Sequence, residues 1–295
     1  SPVLAFLLGA ALLAGCAQAP GGHPAEDRAQ GAGSVSAFQL LPLPGQGGVT
    51  LQALERAPRV PPLRYRVIVI PGSGCAGLGT WAERYFAGLL HAQVLVLHKP
   101  GVHPGDRTAP GQCPPSFVAT DALGAWQAHA QSALQAWFAR AGELDLLPTV
   151  LVGISEGAEL LPGLAPQVPH LAGLVLLSSS GLDPREAGAL QAQRLGAQAP
   201  WAALERAQAG GAPDSAVVQG RSLRYWRDLW HWPVAQPLID GPWPLMQVWG
   251  GADELVPPQA YARFHARAQD RRAPFCARSL PGADHGLQSG QRDGV

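Results

Sequence analysis

Thr149-Val150-Leu151-Val152-Gly153-Ile154-Ser155-Glu156-Gly157 joins a short β-branched and aliphatic run to a Gly-x-Ser-x-Gly pattern. A run this short suits a buried strand, and a serine between two glycines directly after it reads as a sharp strand-to-helix turn. Such a turn, a nucleophile elbow, lifts the serine hydroxyl out of the sheet. Gly153 and Gly157 meet a steric need, because the turn brings neighbouring backbone close to those positions. The pattern alone is weak: in a chain with 36 glycines among 295 residues, the Gly and Ser frequencies give about 0.2 matches by chance. Its weight rests on what surrounds it.

Upstream, Tyr65 to Ile70 and Val94 to Leu97 are β-branched or aliphatic runs too short for helices, as are Leu171 to Leu177 and Leu245 to Trp249 downstream, and Phe275 to Leu280 reads as a further strand. Between them, Thr80 to His91 and Asp121 to Arg140 carry helical periodicity, the second through Leu123, Trp126, Leu134, Trp137 and Phe138. Ser36 to Leu43 and Val49 to Glu55, split by Pro-Gly-Gln-Gly-Gly, read as a hairpin at a sheet edge. Strands alternating with helices imply an α/β class with a mostly parallel central sheet flanked by helices. Residues 182–242 interrupt the alternation with Gln-, Ala- and Arg-rich helical stretches and the aromatic run from Tyr225 to Trp232. They read as an insertion over the carboxyl edge of the sheet, whose tryptophans either line a pocket or pack on the core.

Serine needs a base to take its proton and a carboxylate to orient that base. Asp253, in Trp249-Gly250-Gly251-Ala252-Asp253-Glu254, follows one predicted strand, and His285, in Pro281-Gly282-Ala283-Asp284-His285-Gly286, follows the next. Both fall on loops at the edge where a parallel sheet presents functional side chains. Glu254 and Asp284 are the nearby competitors for the acid, the first pointing elsewhere on a tight loop and the second badly placed to bond the ring of its neighbour.

With Ser155, Asp253 and His285 in that chain order, the sequence resembles bacterial serine esterases and lipases of the α/β-hydrolase superfamily over about residues 60 to 290. The resemblance implies Ser155 as nucleophile, Asp253 as orienting acid, His285 as general base, and a helical cap inserted before the strand that leads to the acid. It also implies an oxyanion hole made by the backbone N–H of Glu156 and that of Ser73, or of Gly74, in the loop Pro71-Gly72-Ser73-Gly74-Cys75. Pro71 stands where the family commonly has histidine. The ten residues after His285 fall short of the family's usual closing helix. Glu159, on the helix after the elbow, reads as solvent-facing.

The chain begins differently. Val3 to Leu13 is an apolar run of signal-peptide length, and Leu13-Ala14-Gly15-Cys16 resembles the lipobox of bacterial lipoproteins. That resemblance implies a signal segment at 1–15, a lipidated Cys16 opening a Gly-, Ala- and Pro-rich tether to residue 35, and a hydrolase domain at 36–295 with its cap at 182–242. It further implies attachment to the bacterial envelope through lipid, with Ala17 favouring the outer membrane where there are two. In an oxidising compartment Cys75, Cys113 and Cys276 allow three pairings. Cys75 and Cys113 lie in loops after consecutive strands, which favours that pair, and Cys276 reads as a buried apolar residue at the far end of its strand.

Twenty-one basic and 21 acidic residues without a basic cluster exclude nucleic-acid binding. No cysteine–histidine spacing marks a metal site, no motif asks for a cofactor, and nothing specifies an oligomeric state. A small acyl substrate is the expected partner, cleaved as an ester or related acyl bond through an acyl-enzyme on Ser155. Thioesterase, peptidase and acyltransferase chemistry fit the same constellation, and a non-catalytic ligand-binding lipoprotein is the reading from a different class.

Overall fold

The computed structural model describes residues 37–140 and 146–289; the signal segment, Cys16 and the tether lie outside the described residues. Gln39–Pro44 (β1) and Thr50–Arg56 (β2) come first, then Tyr65–Ile70 (β3), Gly79–Tyr85 (α1), Ala92–Val96 (β4), Pro115–Thr120 (α2) and Leu123–Ala139 (α3). Thr149–Ile154 (β5), Leu161–Leu164 (α4) and Leu171–Leu177 (β6) follow. Pro184–Arg194 (α5), Gln198–Ala209 (α6), the two-residue strands Val217–Val218 (β7) and Arg221–Ser222 (β8), Leu223–Trp230 (α7) and Ala235–Asp240 (α8) form the helical insertion. Leu245–Gly250 (β9), Pro258–Ala268 (α9) and Phe275–Leu280 (β10) complete the order.

Eight strands form one sheet in the order β1-β2-β4-β3-β5-β6-β9-β10. β1 pairs antiparallel with β2, and β2 with β4, while every neighbour from β4 onward is parallel. The near-continuous apolar strands follow from burial on both faces. Ile68, Ile70, Leu95, Leu97 and Leu151 pack on one face with Trp126 and Leu134 of α3, whereas Val67, Val69, Val94, Val96 and Val152 pack on the other with Ala82 and Phe86. The period of two in a strand thus divides one apolar run between two cores. Each fully buried aliphatic side chain contributes roughly 1.5–3 kcal/mol.

The helix expected over Thr80 to His91 ends at Tyr85. Buried Arg56 of β2 explains the stop: its guanidinium donates to the carbonyls of Phe86 (2.9 Å) and Leu89 (2.8 Å), satisfying acceptors that further helix would otherwise use. Cys276 also departs from expectation, being exposed rather than buried. β10 is an edge strand, and α9 packs on the opposite face of it, where Phe264 meets Phe275 edge-on at 5.8 Å. Cys276 pairs in register with the exposed Met246 on the other face.

His98, two residues after the end of β4, is fully buried and bonds through both nitrogens. Nδ1 meets the Gln52 carbonyl at 2.8 Å and Nε2 accepts from the Leu78 N–H at 3.1 Å, which fixes the neutral Nδ1–H tautomer. Burial lowers its pKa from 6.5 to about 4. Because the native ring is neutral, its contribution is complete above 6.5 and declines as pH falls toward 4, where the unfolded chain binds a proton that the native chain refuses. Urea unfolding at pH 7 and pH 4.5 is expected to show about 2–3 kcal/mol lost through this group. In His98→Gln the acid-induced drop should shrink by that amount; an unchanged drop would remove His98 as its source.

Candidate active site

Parallel strands aim their carboxyl ends at one edge, and the predicted site residues collect there. Ser155 follows β5 with φ 51°, a left-handed conformation that a residue with a Cβ adopts only under constraint. The elbow glycines supply the room. A Cβ on Gly153 would stand 2.3 Å from the Ala158 Cα, and one on Gly157 would stand 2.1 Å from the Ile70 carbonyl oxygen. A 3₁₀ turn, Ser155–Leu160, rather than a long helix leaves the elbow before α4.

His285 Nε2 lies 3.1 Å from Ser155 Oγ, and His285 Nδ1 lies 2.8 Å from Asp253 Oδ2. His285 and Asp253 are buried. Asp253 Oδ1 accepts from the N–H groups of Leu255 (2.8 Å) and Val256 (3.1 Å), and Oδ2 also receives the Tyr261 hydroxyl at 3.3 Å. Burial pushes the Asp253 carboxyl up, but the bond from His285 and the backbone donors outweigh it and hold the group below its usual range. Burial and the charge of Asp253 push the Tyr261 phenol far upward, so it stays a donor. The His285 backbone is anchored as well: its carbonyl accepts from Ser178 Oγ at 2.6 Å, and the Gly286 carbonyl accepts from the Tyr85 hydroxyl at 2.5 Å.

Glu254 meets the rest of the protein through its backbone carbonyl, which accepts from Gln191 Nε2 and Arg194. Asp284 Oδ1 accepts from the Gln288 N–H at 3.0 Å, within its own loop. Neither takes the position beside the His285 ring that Asp253 occupies.

Ser73 and Gly74 lie in the loop that leaves β3, the strand paired with β5, so this loop exits the sheet beside the elbow. Gly74 has φ 89°, open to glycine alone at little cost. Cys75 is disulfide-bonded to Cys113, with Cα atoms 5.7 Å apart, tying this loop to the one after β4. The Glu156 N–H is the next donor past the nucleophile, but the Glu156 side chain does something the sequence reading missed. It is buried, with Oε1 2.5 Å from Lys99 Nζ and Oε2 accepting from the Tyr225 hydroxyl at 2.6 Å. Lys99 Nζ also donates to Asp121 Oδ1 at 2.8 Å, and Arg221 pairs with Asp121 Oδ2. Burial raises the Glu156 carboxyl, yet Lys99 and Arg221 overcome that and hold it ionised below its usual range. Glu159 is not solvent-facing as expected: burial and then the charge of Glu156 push its carboxyl well above the usual range, leaving a neutral acid.

The aromatic stretch resolves toward packing. Tyr225, Trp226 and Trp230 are buried, Trp201 stacks on Trp230 at 4.7 Å, and Trp232 Nε1 donates to the Glu159 carbonyl at 2.9 Å. Asp228 Oδ2 takes the Gly124 N–H at the start of α3 (2.8 Å), docking α7 on the core. Among the described residues no three His, Cys, Asp or Glu side chains are grouped to hold a metal ion.

This strand order, with a serine, a histidine and a carboxylate linked across its carboxyl edge, is the α/β-hydrolase fold. No family model and no curated protein matches the chain. Solved structures similar to it include a highly thermostable carboxyl esterase from Bacillus coagulans, 15% identical with a TM-score of 0.55, covering 83% of this chain and 90% of that one. Carboxyl esterase 2 from Tuber melanosporum is 17% identical with a TM-score of 0.55, covering 87% and 80%. A puromycin-hydrolyzing peptidase of Mycobacterium tuberculosis is 18% identical with a TM-score of 0.52, covering 85% of this chain but 36% of that one. Likeness at such identity establishes the fold.

Proposed function

We propose that this protein is a serine hydrolase that cleaves an ester or related acyl bond through an acyl-enzyme on Ser155. The observation carrying this reading is the unbroken line from Ser155 Oγ to His285 Nε2 at 3.1 Å and from His285 Nδ1 to Asp253 Oδ2 at 2.8 Å. In this reading His285 Nε2 takes the Ser155 proton as Oγ attacks the acyl carbonyl. The oxyanion so formed faces the N–H of Glu156 and that of Ser73 or Gly74. His285 then gives the proton to the leaving group, and water, activated in the same way, releases the acid. Asp253, held as a carboxylate, keeps the ring in the tautomer with its proton on Nδ1 and stabilises the imidazolium.

A fluorophosphonate reacts only with an activated serine, so it is expected to label the wild-type chain at Ser155 and to leave Ser155→Ala unlabelled. A panel of short and long p-nitrophenyl esters, thioesters and aminoacyl amides then ranks the acyl bonds, with esters expected to turn over fastest. The fold shared with a puromycin-hydrolyzing peptidase is the reason to include amides; faster amide cleavage would replace esterase by peptidase. A wild-type chain that takes no label would favour the ligand-binding alternative.

A further inference from the structure

Lys99 is the only lysine in a chain whose other 20 basic residues are arginines. It is buried, 3% exposed, three residues after the end of β4. A chain that uses arginine at every other cationic position keeps the compact ammonium here, where three donors fit into a space closed by Asp121, Glu156 and the Phe117 ring 5.9 Å away. Its carboxylate partner Glu156 carries the backbone N–H that follows the nucleophile, so the residue read as an oxyanion donor also brings a negative charge to the elbow. Unneutralised, that charge would oppose the very charge the site must stabilise.

We propose that Lys99 is a positioning residue that neutralises Glu156 and, with Tyr225, clamps its side chain so that the oxyanion hole is electrostatically open. The inference rests on the hydrolase reading above. The titratable groups around Glu156 come from four segments: charged Lys99 after β4, Asp121 before α3 and Arg221 in β8, and the neutral Tyr225 phenol in α7. Glu159 on its own turn is neutral and faces Asp183. Burial works against the Lys99 charge, and the carboxylates of Asp121 and Glu156 overcome it, so the ammonium stays protonated. Because the ester carbonyl is neutral in the ground state and charged in the transition state, the clamp acts on kcat and leaves KM nearly unchanged.

The test uses Lys99→Met and Lys99→Met/Glu156→Gln, with kcat and KM measured on p-nitrophenyl butyrate from pH 5 to 9 and folding checked by circular dichroism and melting. Lys99→Met is expected to lose about 10²-fold in kcat at pH 8, comparable to losing an oxyanion donor. Its profile should turn from a plateau into a bell, because Glu156, buried and left with the more distant Arg221 in place of its ion-pair partner, ionises at higher pH and suppresses turnover as it does. Adding Glu156→Gln is expected to recover about tenfold or more of that loss and to remove the falling limb. A double variant no better than Lys99→Met, or a Lys99→Met profile with the wild-type shape at reduced height, overturns the proposal.

If Lys99→Met does not fold, Tyr225→Phe supplies the same comparison, since it removes only the hydroxyl that Glu156 Oε2 accepts. Its kcat is expected to fall about three- to tenfold and to rise again with Glu156→Gln; a loss that Glu156→Gln does not relieve overturns the proposal. Wild-type protein that neither takes a fluorophosphonate nor turns over any ester in the panel overturns the hydrolase reading and this inference together. An active wild type with unrescued variants overturns this inference alone.

Discussion

Asp253→Asn is expected to lower kcat about 10⁴-fold with the fold retained. The reason lies in the backbone around the carboxylate. Oδ1 accepts from the N–H groups of both Leu255 and Val256, so an asparagine must keep its carbonyl oxygen there. Its amide nitrogen then falls at the Oδ2 position, 2.8 Å from His285 Nδ1, and presents a donor where an acceptor stood. The ring responds by moving its proton to Nε2, the atom 3.1 Å from Ser155 Oγ, which can no longer take the serine proton. Glu254→Gln changes a side chain with no such role, because residue 254 engages Gln191 and Arg194 through its carbonyl. Its kcat should stay within about threefold of wild type, as for a surface substitution away from the site. Steady-state hydrolysis of p-nitrophenyl butyrate decides the matter, and an equal loss in both variants would dislodge Asp253 as the orienting acid.

Tyr65–Ile70 was legible because burial on both faces writes itself as a near-continuous apolar run, and Leu171–Leu177 likewise begins and ends where its run does; Phe275–Leu280, a mostly exposed edge strand that carries Arg278 and Ser279, has no such run. Asp253 and His285 were legible because each follows an expected strand by a few residues, on a glycine-containing loop. What depends on distant partners was not. The end of α1 is set by Arg56, more than 20 residues earlier in the chain, so local periodicity overran it. Cys276 looked buried because cysteine usually is, yet exposure at an edge strand is decided by what packs beside the strand. Glu159 looked solvent-facing because a carboxylate on a helix normally is. The docking of Trp232 on its carbonyl, 73 residues away in sequence, helps to bury it instead. The cluster around Glu156 did leave a trace, a lone lysine at the carboxyl end of a strand in an arginine-rich chain, visible by counting alone.

Gly157→Ala is expected to destabilise the protein by about 4 kcal/mol, at the upper end for overpacking. The added methyl would lie 2.1 Å from the Ile70 carbonyl oxygen, 2.5 Å from that of Pro71 and 2.7 Å from the Ile70 carbonyl carbon. These are backbone atoms, and they belong to the last residue of a central strand and the first of the loop that carries Ser73. A flexible side chain would swing aside, but here either β3 must leave its register with β4 and β5 or the elbow must withdraw from the sheet. Each movement separates Ser155 from the oxyanion loop, so the folded fraction should also turn over more slowly, by about 10²-fold for a displacement near 1 Å. Gly211→Ala is the matched control, because a Cβ there meets nothing within 4 Å and its backbone is not left-handed. Chemical unfolding and ester hydrolysis on the two variants separate the cases: near-equal stabilities would mean that the elbow does not pack against the end of β3, and with that contact would go the structural link between nucleophile and oxyanion loop.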